Sequence, residues 1–243
     1  MIDLNTISTL PPAGSSKKQS KKRLLGIREE LFELQNKFYA DGRFGLLIIL
    51  QGMDTSGKDG TIRNALKGMN PQGVHVKSFK KPTEEELRHD FLWRVYPHFP
   101  QKGMIQVFNR SYYEDILVPK VTNSLEEEIL EHRCKLLKYM EQHLRQNNIH
   151  VLKFFLHISK EEQKERIKER QTKPYKRWKY SAEDEKAASQ WEVYREAYNM
   201  LMNNCNDPQW HIIAADKRWY RNYCVAKIVL EHLKKHNLTY PNT

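Results

Sequence analysis

What this 243-residue chain lacks narrows its range before any motif is read. It holds three cysteines, Cys134, Cys205 and Cys224, and none falls in a CxxC pair. That spacing excludes a disulfide framework and a cysteine zinc site, leaving reduced thiols. No apolar run is long: FGLLIIL, residues 44–50, is far too short to cross a bilayer. The amino-terminal MIDLNTISTLPPAGSS has neither the basic start nor the apolar stretch of a secretion signal, so a cytoplasmic protein is expected. There is no internal repeat and no low-complexity tract, and the ten histidines form no cluster along the sequence. Acids are in deficit: 30 Asp and Glu face 41 Lys and Arg, a formal net charge of +11. A surplus of that size points to a polyanionic partner, whether nucleic acid, an anionic membrane or a phosphate-rich substrate. An apolar share of 39% and a charged share of 29% fit a soluble domain with a full core.

What is present reads as an α/β chain. Residues 1–22, with Pro11, Pro12, Gly14 and then KKQSKKR, are expected to form a flexible basic arm ahead of a single domain over 23–243. Five short apolar runs follow: LLIIL (46–50), VHVKSF (74–79), MIQVF (104–108), VLKFFLHI (151–158) and WHIIA (210–214). Each has strand length, and several are too continuously apolar to own a solvent face. The stretches between them read as helices. Thr83 with Glu86, Ser124 with Glu127, Ser159 with Glu162 and Ser181 with Asp184 have capping-box spacing. After Ser124 an apolar stripe runs through Ile129, Leu136, Leu137, Met140 and Leu144. Strands alternating with helices predict a parallel sheet of about five strands, covered on both faces.

GMDTSGKDG, residues 52–60, carries Gly52, Gly57 and Lys58 in the G-x-x-x-x-G-K pattern, after the most apolar run and before a helical stretch. Glycines there let backbone amides converge on phosphate, the helix start adds partial positive charge, and the lysine adds a full one. The stretch Gly52, Thr55, Ser56, Gly57, Lys58, Asp59, Gly60 and Thr61 is therefore expected at phosphate. Where a Ser or Thr usually follows the lysine, this chain has Asp59. Asp54 beside phosphate would be repulsive without a cation between them, so it is read as a magnesium ligand. Asp59 is assigned a helix-start role.

MIQVFNRSYYEDIL (104–117) sets Asn109 and Arg110 at the carboxyl end of a buried run, the edge where open α/β sheets bind ligands. Arg110 is suited to neutralise a phosphoryl group in flight. ERIKERQTKPYKRWKY (165–180) is predominantly basic, with Arg166, Arg170, Lys173 and Arg177 among its cations, and Pro174 breaks its helix. It is expected to act as a lid over phosphate, at about residues 160–190. Lys80 and Lys81 follow the second strand on the same sheet edge. Together these are more cations than one triphosphate needs, which suits a long phosphate chain or a nucleic-acid backbone.

Taken together, LIILQGMDTSGKDGTI, VKSFKKPTEEELRHDFLWR, GMIQVFNRSYYEDIL, RIKERQTKPYKRWKYS and IIAADKRWYRNY resemble the polyphosphate kinase 2 family, in the family's order and over about residues 25–236. The resemblance implies a P-loop kinase fold similar to thymidylate kinase. It implies magnesium-dependent transfer of a terminal phosphoryl group between inorganic polyphosphate and a nucleotide, with manganese as the alternative ion. Asp54 is implied as metal ligand, Lys58 and Arg110 at the phosphoryl group, and Arg166, Arg170, Arg177, Lys80 and Lys81 along the phosphate chain. Asn109 stands where many members have an aspartate. Glu114 in the N-R-S-x-Y-E-D-x-L form is similar to the subgroup acting on both AMP and ADP, with Arg110, Tyr113 and Glu114 at the nucleotide. Adenine nucleotides are expected, guanine being the alternative, with a homodimer or homotetramer and neither nucleic acid nor membrane as partner. The competing readings are an ATP-dependent nucleotide kinase and a non-catalytic polyanion binder.

Overall fold

In the computed structural model, which describes residues 1–241 (for residues 182–184, the backbone only), the five apolar runs form one sheet. The strands are β1 (Gly45–Gln51), β2 (Val74–Ser78), β3 (Ile105–Asn109), β4 (Ile149–His157) and β5 (Trp210–Ala214). All pair in parallel in the order β2-β3-β1-β4-β5. Every residue of β1 is buried, as expected of the central strand of a sheet covered on both faces. The helices are α1 (Lys17–Asp41), α2 (Lys58–Ala65), α3 (Glu114–Thr122), α4 (Glu127–Gln146), α5 (Lys160–Thr172), α6 (Ala182–Ser189), α7 (Trp191–Asn204) and α8 (Arg218–Lys234). α1 and α2 pack with α8, while α3, α4 and α7 pack with one another, giving a helical layer for each face. This is the α/β P-loop arrangement the sequence predicts.

Local signals held unevenly. Ser159 caps α5, accepting from the Glu162 amide at 3.1 Å. Thr83 and Glu86 bond reciprocally, but the box opens only a 3-10 turn, Glu86–Arg88. Ser124 does not cap α4, which begins after Glu126 without a side-chain cap. The Ser181–Asp184 box lies outside the described residues. The buried stripe of α4 is Leu130, Cys134, Leu137, Met140, Glu141 and Leu144, leaving Ile129 and Leu136 exposed. Its charged member is there for a reason: Glu141 pairs with Lys153 of β4 at 2.8 Å, both fully buried, and accepts from the Tyr112 and Tyr113 hydroxyls.

The amino-terminal segment, expected as a flexible arm, is packed. The Ile2 and Leu4 amides donate to Asn203 and Asn199 of α7, and Leu4 joins the core. Thr9 Oγ1 donates to Asp216 Oδ2, and the Asp216 amide donates back to the Thr9 carbonyl. Asp216 Oδ1 also takes the Ser159 amide at the root of α5. KKQSKKR is no arm either: Ser16 caps α1 and these residues form its first turns.

At the amino edge of the sheet, His150 of β4 meets two histidines from far along the chain, His232 of α8 and His236 just beyond it. Burial, then neighbouring positive groups, pushes His150 down to about 4 and His232 to about 3.

Candidate active site

The P-loop closes the carboxyl end of β1. Gly57 has φ of 100°, a left-handed conformation that glycine adopts freely, and a Cβ there would sit 2.1 Å from Arg221 Nη1. Arg221 and Arg166 are both buried beneath the loop. Both donate from Nη1 to the Ser56 carbonyl, at 3.0 and 2.8 Å, and Arg166 also donates to the carbonyls of Thr55, Ala215 and Asp216. Because the peptide is planar and trans, pulling the Ser56 carbonyl toward these guanidinia turns the Gly57 N–H the opposite way, into the loop. Arg221 carried no sequence signal beyond its place in IIAADKRWYRNY. Arg166 was expected among polyphosphate ligands, but its donors are engaged with backbone carbonyls that shape the loop.

Lys58 begins α2 and lies folded on the loop, Nζ donating to the carbonyls of Gly52 at 2.7 Å and Met53 at 3.2 Å. Burial, aided by the Arg110 charge, pushes its ammonium down from 10.5 to about 8. Above it, Arg110 leaves β3 with φ of 61°, and Thr55 of the loop has φ of 64°. Such conformations cost a non-glycine residue about 1–3 kcal/mol and concentrate at functional sites. The Arg110 backbone is held by its amide on the Leu50 carbonyl at 3.0 Å. Its guanidinium then reaches Asp54 at 2.5 Å and Glu114 at 3.5 Å. Glu114 and Asp54 hold Arg110 firmly protonated, while burial raises Glu114 despite the Arg110 charge. Tyr198 and Tyr194 of α7 and Gln163 of α5 close the cleft.

Side-chain oxygens here suit a hard cation or phosphate. Thr55 Oγ1, Ser56 Oγ, Gln51 Oε1 and Gln163 Oε1 are buried without a hydrogen-bond partner among the described residues, all on or next to the loop or facing it from α5. Buried polar atoms left so cost about 1–3 kcal/mol each unless a ligand or water completes them. Like the Asp54 carboxylate, they are hard oxygen donors, the ligand type magnesium takes. The cleft measures about 50 Å³, and the paired Asp54 and Arg110 are among the residues that line it. A larger open groove of about 800 Å³ lies elsewhere, along α1 between Leu25, Phe32 and Lys234, and holds none of these residues.

The other expected site residues divide. Asn109 donates to Asp59 Oδ1 at 2.7 Å, and Asp59 also pairs with Lys179 of the basic segment. Asp59 therefore ties the start of α2 to β3 and to the segment above, beyond its helix-start role. Gly60 and Thr61 are in the first turn of α2, where Thr61 Oγ1 donates back to the Gly57 carbonyl. The basic segment bends at Lys173, which is extended before Pro174 as a residue preceding proline prefers. Lys173 and Lys176 converge on Glu169, joined by Arg218, and hold its carboxyl down at about 2 against burial. Arg170 donates to the Lys179 carbonyl and Arg177 to the Gln171 carbonyl. Lys80 and Lys81 are exposed. Tyr113, expected at the nucleotide, is fully buried and turned into the core, its hydroxyl on Glu141.

Comparison with known proteins gives one consistent answer. The family model "Polyphosphate kinase 2" matches residues 14–241. The chain is 41% identical over 227 residues to an AMP/ADP-polyphosphate phosphotransferase of Meiothermus ruber, covering 93% of this chain and 85% of that one. It is 37% identical to an ADP-polyphosphate phosphotransferase of Rhodopseudomonas palustris, covering 100% and 89%. Its structure superposes on a crystal structure of polyphosphate kinase 2 from Arthrobacter aurescens with a TM-score of 0.96 at 36% identity, covering 100% of this chain and 88% of that one.

Proposed function

Since the chain belongs to the polyphosphate kinase 2 family, we propose that it transfers the terminal phosphoryl group of inorganic polyphosphate to AMP and ADP, and runs the reverse reaction from nucleoside triphosphate. The observation that carries this is the meeting of Lys58, Asp54, Arg110 and Glu114 in one cleft over a P-loop. A nucleotide's terminal phosphate has a second pKa of about 6, so it is an anionic nucleophile at neutral pH and needs no general base. The protein's work is alignment and charge neutralisation.

Lys58 lies where it can swing from the Gly52 and Met53 carbonyls to phosphate, exchanging partial charges for full ones. Arg110 exchanges Asp54 for the phosphoryl group. Asp54 would hold magnesium, which supplies positive charge between the carboxylate and the phosphate oxygens. Glu114, behind Arg110, fixes the direction of that guanidinium and places an acid beside the acceptor's phosphate. Lys80, Lys81, Arg170 and Arg177 offer the longer phosphate chain a basic path. A homodimer or homotetramer is the assembly we expect, to be read by sedimentation.

The test is a donor–acceptor matrix: polyphosphate or ATP as donor against AMP, ADP, GMP and GDP, with magnesium. ADP and then ATP should form from AMP and polyphosphate. Absence of phosphorylated product from both AMP and ADP would overturn the assignment.

A further inference from the structure

The histidine group at the amino edge of the sheet, on the far side from the P-loop, takes no part in this chemistry. His232 and His236 stand four apart at the end of α8, the spacing that puts two imidazoles on one helix face. His150 reaches them from the second residue of β4. Ring centroids are 4.3 Å apart for His150 and His236, 4.8 Å for His232 and His236, and 5.3 Å for His150 and His232. The Nε2 atoms of His232 and His236 are 3.2 Å apart, and one nitrogen from each ring lies within 4.8 Å of the others. His150 Nε2 is buried and has no hydrogen-bond partner among the described residues. Phe44 packs on the rings of His150 and His236.

Two close imidazole nitrogens and a third, orphaned one are the donor set of a three-histidine metal site. At metal–nitrogen bonds of about 2.0–2.1 Å, tetrahedral geometry puts ligand nitrogens about 3.3 Å apart, near the spacing already present between His232 and His236. Imidazole favours zinc, nickel and copper over magnesium, so this site would select a different ion from the one serving phosphoryl transfer.

We infer that His150, His232 and His236 bind one divalent transition ion of the zinc class, clasping the end of α8 to the start of β4. The same helix carries Arg221 under the P-loop at its other end, so the clasp fixes the support of the loop without touching substrate.

The test uses full-length untagged protein, stripped with chelator and held in phosphate-free buffer. Calorimetric titration with zinc chloride should give one site per chain. At about a hundredfold excess over Kd the melting temperature should rise by about 5–10 °C. Magnesium should not reproduce the rise. His236→Gln, beyond the helix end, and His232→Gln should each weaken zinc binding more than about tenfold, with melting of the metal-free protein little changed. X-ray absorption of the zinc-loaded wild type should show imidazole nitrogen and no sulfur. No zinc binding by wild type, sulfur in the shell, or full-affinity binding by the His150→Gln/His236→Gln variant would overturn the inference.

Discussion

Lys58 makes a sharp prediction because its two roles oppose each other. Burial pushes its ammonium from 10.5 to about 8, so carrying the charge near neutral pH costs the ligand-free protein about 3 kcal/mol. Against this stand its two bonds to the Gly52 and Met53 carbonyls, together worth about 2 kcal/mol. Lys58→Met keeps the length of the side chain while removing charge and donors. Near neutral pH the variant should therefore be more stable by about 1 kcal/mol, a melting rise of about 2–4 °C. The advantage must reverse in alkali. Between pH 8 and 10.5 the unfolded lysine binds a proton that the folded one has released, so wild type gains stability as pH rises through that window. The two stabilities should cross at about pH 9, and above it the wild type should win. Urea melts of both proteins across this range, without substrate, provide the measurement. Comparing the two cancels the titrations of groups that do not couple to Lys58. A difference of constant sign, or a destabilised variant near neutral pH, would refute the account of Lys58 as a charge kept at a loss for the arrival of phosphate. Turnover by the variant should fall by about a thousandfold or more, the scale set by losing a charge that meets the transferring group.

The remaining expectations can be tested side by side. Asp54→Ala should abolish turnover even at saturating nucleotide and high magnesium, and retained activity would exclude its metal role. Glu114→Asn should lower kcat/KM with AMP about 10–100-fold more than with ADP, whereas equal losses would reject Glu114 as the group that accommodates the shorter acceptor. Arg166→Met should cost about 3 kcal/mol in a urea melt, because it strips donors from four carbonyls; a normal melt with a raised KM for polyphosphate would return Arg166 to the phosphate chain. Glu141→Gln leaves the Lys153 ammonium buried without its counter-charge and should cost about 3–5 kcal/mol while kinetics at low temperature stay intact.

These cases also mark what the sequence could carry. The strands and the P-loop were legible because their signals are local: β1 announces itself by the continuous apolar run LLIIL, and the loop by Gly52, Gly57 and Lys58 at fixed spacing. The stripe of α4 held at Leu137, Met140 and Leu144 but failed at Ile129 and Leu136, because a period alone does not tell a core leucine from an exposed one. Glu141 belongs to that buried stripe because Lys153, twelve residues on, meets it in the core, a pairing no local period shows. Arg221 and Arg166 reach the loop from 165 and 110 residues away, and the left-handed backbone of Arg110 follows from its Leu50 anchor. The histidines are the extreme case: His150 lies far ahead of the His232–His236 pair in the chain and meets it only at an edge of the sheet.

The packed amino terminus has a practical side. Asp216 joins the strap formed by residues 2–9 to the start of α5, the helix that leads into the basic segment. Tethering the protein to a bead or electrode by this end would pull on that helix root, and the load would pass to the basic segment. Tyr240, by contrast, lies exposed at the other end, touched by the Lys37 ammonium. Attachment there should let an immobilised enzyme regenerate nucleotide at its solution rate, while the same linker at Met1 should slow it.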